Sequence, residues 1–221
     1  MKIFIINGLP GSGKTTFGEL VSKHLSDAGK KFIHTSSIEP IKQILRPKET
    51  WDPKVIDPTM WNTLVHLKQS CADESVDWDG TTKDQFWRKV MSDLKREITE
   101  SMPDFLHEFV LKQISRLGED TVGFVDIREA ENIDSFKEYC HEHYPAAEIK
   151  TVLIKSDVYV ENINNFSDNS VLNYNYDIEV YNKRPSGLVE TESRQLLDKE
   201  ALSFTNKILE AEMKAASENK G

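Results

Sequence analysis

The sequence predicts an α/β fold, a parallel five-stranded sheet flanked by helices, with a helical insertion. Three observations predict it. Ile3-Phe4-Ile5-Ile6-Asn7 is a short apolar, β-branched run that reads as a buried strand. A glycine-rich turn, Gly8-Leu9-Pro10-Gly11-Ser12-Gly13, leads from it into a stretch with Phe17, Leu20, Val21 and Leu25 at helical spacing. Strand-like and helical runs then alternate, which means a parallel sheet covered on both faces.

The first strand, turn and helix together carry chemistry. Gly8, Pro10, Gly11, Ser12, Gly13, Lys14, Thr15 and Thr16 form a complete phosphate-binding loop in the strand–turn–helix context it needs. Glycines adopt torsions that other residues avoid, so successive N–H groups can point at phosphate oxygens. The following helix adds the positive end of its dipole. Lys14 is expected on the β- and γ-phosphates of a nucleoside triphosphate and Thr15 on Mg²⁺.

Lys31 to Thr35 reads as a second strand, and Glu39 to Leu45 as a short helix entered through Pro40. Prolines and charges from 46 to 58 predict a loop, residues 60–71 a helix, and the acidic 72–80 an irregular stretch. Residues 82–99 carry Phe86, Val90, Met91, Leu94 and Ile98 at helical spacing, and 104–117 carry Phe105, Phe109, Val110, Ile114 and Leu117. The period then changes. Thr121 to Asp126 is a buried-strand run ending in a carboxylate, 129–144 a helix, 149–154 a fourth strand, 176–181 a fifth, and 190–213 a closing helix whose tail should fray. The expected organisation is one domain: a core of 1–37 and 119–216, an acceptor-binding insertion at 38–118 and a lid at 157–175.

Composition bounds the partners. The net charge of −9, from 28 basic and 37 acidic residues, argues against a nucleic-acid backbone as the main partner. No apolar run approaches the ~18 residues of a membrane span. The amino terminus shows no signal-peptide architecture, and Cys71 and Cys140 have no metal or redox spacing. A cytoplasmic monomer or homodimer acting on a small molecule is the expectation.

Phosphoryl transfer also needs a metal-ordering carboxylate, cations around the moving group and an acceptor pocket. Asp126 ends a strand, and carboxyl ends of strands face the ligand crevice in open α/β sheets. Arg128, two residues on, could hold an acceptor phosphate. The competing reading makes Asp126 a helix cap and Arg128 the partner of Glu129 or Glu131. Lys42 and Arg88 are acceptor-site candidates or ordinary solvated charges. Trp87 and Phe86 could stack a base or belong to a core.

These residues resemble a group of P-loop kinases that includes bacteriophage deoxynucleoside monophosphate kinases and animal-type phosphomevalonate kinases. Ser36 to Lys42 resembles the group's Ser-x-Pro-Leu-Lys element, Trp87-Arg88-Lys89-Val90-Met91 its aromatic-Arg-Lys-x-Met helix, and Met102-Pro103-Asp104-Phe105 its Asp-Pro-x-Phe helix start. Asp126-Ile127-Arg128 matches its Asp-x-Arg strand end, Phe136 follows in the expected helix, and Asp177 to Asn182 is similar to its late strand ending in asparagine. The resemblance covers most of the chain in order. It implies a P-loop NTPase fold and transfer from ATP, with Mg²⁺, to a nucleoside or deoxynucleoside monophosphate. On it, Lys14, Arg128, Asp126 and Arg88 are catalytic, Lys42, Arg88, Trp87 and Arg128 bind the acceptor, and Thr15 with Asp126 orders the metal.

Two departures stand out. The chain reads Gly13-Lys14-Thr15 where those kinases read Gly-Lys-Asp. No Lys or Arg occurs between Lys155 and Lys183, so the lid carries no cation for the transferring phosphoryl. The alternatives are a kinase of another small phosphorylated metabolite and a non-catalytic ATP-binding P-loop protein. Asn182-Lys183-Arg184-Pro185 lacks the aspartate of a guanine-reading element.

Overall fold

A computed structural model describes residues 1–72, 77–82, 84–157, 171, 173–184 and 190–218. The elements run β1 (Lys2–Asn7), α1 (Lys14–Asp27), β2 (Lys31–Ser36), α2 (Glu39–Leu45), α3 (Trp61–Cys71), α4 (Gln85–Ser101), α5 (Phe105–Ser115), β3 (Thr121–Asp126), α6 (Ala130–His143), β4 (Glu148–Ser156), β5 (Ile178–Asn182) and α7 (Glu190–Glu218). A short 3₁₀ turn at Lys48–Thr50 lies in the expected loop, and another at Pro58–Met60 crosses from its end into the start expected for the next helix. The chain divides into two compact units, Met1–His34 with Gly118–Gly221, and Thr35–Leu117.

The first unit is built on a five-stranded parallel sheet in the order β2-β3-β1-β4-β5. Side chains alternate across it. Phe4 and Ile6 of β1, Val122 and Phe124 of β3, and Val152 and Ile154 of β4 join one cluster with Phe17, Leu20, Val21 and Leu25 of α1 and Leu197, Ala201, Phe204 and Ile208 of α7. Phe4, Phe17, Phe124 and Phe204 meet in this cluster, mostly edge to face, with centroids 5.0–6.1 Å apart. The other parity, Ile3, Ile5, Val125 and Leu153, is equally buried, as are Ile133, Phe136 and Cys140 of α6. A right-handed β3–α6–β4 crossover puts α6 on that second face. Because all the strands are parallel, Asn7, Asp126, Ser156 and Asn182 end at the same edge of the sheet.

The closing helix runs further than the expected 213. Helix α7 continues to Glu218, because Lys, Ala and Glu are strong helix formers, and Lys30 binds Glu212 at 2.7 Å near its end. His24 of α1 meets Asp198 of α7 at 2.8 Å.

The second unit has its own core: Ile41, Ile44 and Leu45 of α2, Leu64 of α3, Val90, Met91, Leu94 and Ile98 of α4, and Phe105, Leu106 and Phe109 of α5, with Trp51, Trp78 and Trp87. Asp84 caps α4 by accepting from the Trp87 amide at 2.9 Å. Trp87 is turned inward at 7% exposure and Phe86 outward at 52%, the reverse of the stripe expected from Phe86. Among the described residues, no helix is long and apolar enough to cross a membrane.

Candidate functional site

Three loop glycines have left-handed backbones: Gly8 at φ 152°, Gly11 at 75° and Gly13 at 97°. Two of them are also sterically required. A Cβ on Gly8 would stand 2.5 Å from the Ile154 carbonyl oxygen, and one on Gly13 would stand 2.4 Å from the Asn182 side-chain nitrogen. The Ser12 amide donates to the Leu9 carbonyl at 3.0 Å, closing the turn, and Phe17 N–H donates to Gly13 O at 2.8 Å, opening α1.

Asn7 and Asn182 clamp the loop from two strand ends. The Asn7 carboxamide accepts from Gly8 N–H at 2.8 Å and donates to the Arg128 carbonyl at 2.9 Å. The buried Asn182 amide donates to the Ser12 carbonyl at 2.8 Å, across 170 positions of sequence. The start of the loop is thus tied to the turn that follows β3, and its end to β5.

The loop is built to receive an anion. Helix α1 has no side-chain cap and no acidic residue in its first turn, so its leading N–H donors have no competing partner from a cap. The Ser12 residue is 3% exposed, and its hydroxyl has no hydrogen-bond partner. A buried hydroxyl left unpaired costs about 1–3 kcal/mol, so a second polar group in the cradle would relieve it. The Lys14 ammonium sits on the Gly8 and Leu9 carbonyls at 2.6 and 3.2 Å, at the lip of the cradle. Thr15 is exposed and Thr16 half-buried beside it.

Asp126 is half-buried at the end of β3, and its Oδ1 pairs with His34 Nε2 at 3.1 Å. It does not cap α6, whose N-cap is Glu129. His34 packs edge-on to Phe124 and lies against Gly18, where a Cβ would be 2.3 Å from its Nδ1. Arg128 is exposed, with its carbonyl held by Asn7. Among the described residues no three His, Cys, Asp or Glu side chains group as a metal cage.

Lys42, Trp87 and Arg88 belong to the second unit. Lys42 pairs with Glu39 of its own helix at 3.0 Å, and Arg88 is exposed on α4. Trp87 lies in the unit's core and does not offer a ring face for stacking. Sequence reasoning missed His34, which holds Asp126, and Asn182, which holds the loop. Only the late-strand asparagine carried a signal, through the family resemblance. The expected lid at 157–175 lies outside the described residues except for Asp157, Val171 and residues 173–175.

Beyond the loop, Asp177 opens the turn into β5. Burial alone would raise its pKa, but the Thr151 amide and hydroxyl, at 2.7 and 2.8 Å, outweigh it and hold the carboxyl below the usual range. No protein-family model matches the chain, and no curated protein shows significant similarity to it.

Proposed function

We propose that the chain is a P-loop kinase that transfers the γ-phosphoryl of ATP to a small phosphorylated acceptor, with a nucleoside or deoxynucleoside monophosphate as the leading candidate. The observation that carries this reading is the cradle: three left-handed glycines, an unpartnered buried Ser12 hydroxyl and Lys14, all at the uncapped start of α1. The parallel α/β sheet, with the loop at the carboxyl ends of its strands, supports a P-loop fold.

In this reading the loop amides hold the donor phosphates and the α1 dipole favours their charge. Lys14 turns from the loop carbonyls to the β- and γ-phosphates. Thr15 and Asp126 would hold Mg²⁺, which when bound neutralises charge on the donor phosphates. His34 orients Asp126. Arg128 binds the acceptor phosphate, and Arg88 and Lys42 are the candidate cations of the insertion. The acceptor oxygen attacks in line, and no covalent intermediate on the protein is needed.

A second reading keeps the chemistry and changes the acceptor. With Trp87 buried, the aromatic slot that would favour a base is absent from that position, which favours a smaller phosphorylated metabolite such as phosphomevalonate. The test is ADP formation from ATP and Mg²⁺ with a panel of ribo- and deoxyribonucleoside monophosphates and phosphomevalonate. Stimulation by one acceptor, lost in Lys14→Ala, is expected. ATP binding that survives in Lys14→Ala, with no acceptor active, would sink the proposal.

A further inference from the structure

We infer that Arg184 is a donor-phosphate contact, recruited to the loop by β5. This rests on the phosphate-loop reading above and adds to it a residue that the sequence did not single out. Residues 156–182 contain neither Lys nor Arg, so the segment expected to cover the phosphates has no cation of its own. The next basic residues are Lys183 and Arg184, immediately beyond β5.

The geometry distinguishes Arg184. Asn182 pins the end of β5 to the Ser12 carbonyl at 2.8 Å, which fixes where the following residues leave the sheet. Two residues on, Arg184 Nη2 lies 3.5 Å from the point where a Cβ on Gly13 would stand. The missing Cβ of Gly13 thus leaves room on the loop for both the Asn182 amide and the guanidinium. Arg184 shares a cavity of about 380 Å³ with Thr16, Asn182, Glu190 and Arg194, opening beside the first turn of α1. Arg194 is turned to Glu19 at 3.5 Å. Arg184 is exposed, and no carboxylate among the described residues pairs with it.

The buried Ser12 hydroxyl, which has no hydrogen-bond partner, is a second polar group of the same loop left to a ligand. Loop amides of this type cradle the α- and β-phosphates, while the loop lysine reaches the β- and γ-phosphates. A guanidinium beside Gly13 therefore meets the α/β side of a nucleoside di- or triphosphate, where its fork can bond two oxygens. It anchors the donor rather than stabilising the transferring group.

Calorimetric titration of the full chain with ATP and with ADP tests this. Arg184→Gln should weaken both by about 10- to 100-fold. Arg184→Lys should restore part of the loss, and Arg194→Gln should change little. In a turnover assay the loss in Arg184→Gln should appear as a raised KM for ATP. Circular dichroism melting of each variant checks that the fold is intact. Unchanged affinity in Arg184→Gln, or a loss confined to ATP, overturns the inference while the phosphate-loop reading stands. Wild-type protein that binds neither nucleotide overturns both.

Discussion

Adding one methyl group at three loop positions separates backbone strain from steric exclusion. Gly11 has φ 75°, and a Cβ there would find no atom within 4 Å. Gly11→Ala therefore meets only the left-handed penalty, about 1–2 kcal/mol. A gain of about 0.4–1 kcal/mol from a stiffer unfolded chain offsets part of it. The net loss should be about 1 kcal/mol, within a range of about 0–1.6 kcal/mol. Gly13 adds a collision. At φ 97° its Cβ would fall 2.4 Å from Asn182 Nδ2, and the amide must leave the Ser12 carbonyl to escape. Losing that buried bond adds about 1–2 kcal/mol, so Gly13→Ala should cost about 2–3 kcal/mol. Gly8→Ala should be the worst, since its Cβ meets the Ile154 backbone carbonyl at 2.5 Å, which cannot rotate away. Urea denaturation followed by far-ultraviolet circular dichroism reads the order Gly11, Gly13, Gly8. Asn182→Ala combined with Gly13→Ala should be less than additive, because both remove the same bond. Equal losses at Gly11 and Gly13, or full additivity in the double variant, would refute the steric account.

Other outcomes are as direct. Asp177 has a lowered folded pKa, so its contribution to stability is present above the ordinary aspartate value of about 3.9 and is lost as pH falls through the lower folded value. Asp177→Asn should be less stable than wild type at neutral pH, and the two denaturation midpoints should converge in acid. Burial pushes the Cys140 thiol up to about 12, whereas Cys71 is only half-buried. A thiol reagent at mildly alkaline pH should label Cys71 in the native protein, and Cys140 only after unfolding. Gly18→Ala would drive a methyl into His34 and loosen its bond to Asp126. Under the proposed function, turnover should fall more than ATP affinity, as paired kinetic and binding titrations would show.

What was legible in the sequence was what is local in the chain. The loop lies within nine residues, Gly8 to Thr16, flanked by a strand and a helix with unambiguous periods. The apolar runs at 121–126 and 149–154 announced β3 and β4 for the same reason. What escaped was long-range. Asn182 reaches the loop across 170 positions and His34 reaches Asp126 across 92, and neither residue has neighbours that reveal its partner. Phe86 and Trp87 show a different limit. Phe86 lies four positions from Val90, Trp87 three and four from Val90 and Met91, and it is Trp87 that falls on the buried stripe with Leu94 and Ile98. The closing helix reaches Glu218 rather than 213, because Lys, Ala and Glu propagate a helix in spite of their polar composition.

The distribution of tryptophan gives the protein an internal spectroscopic label. All four indoles, Trp51, Trp61, Trp78 and Trp87, fall within Thr35–Leu117, and three of them are buried in its core. The sheet-bearing unit has only phenylalanine and tyrosine as aromatic chromophores. Tryptophan emission therefore reports the melting of the insertion, while the amide signal of circular dichroism sums over both units. Coincident curves would mean that the insertion and the nucleotide-loop unit unfold as one cooperative body. An offset between them would give the free energy by which the insertion can open by itself, with the loop still formed.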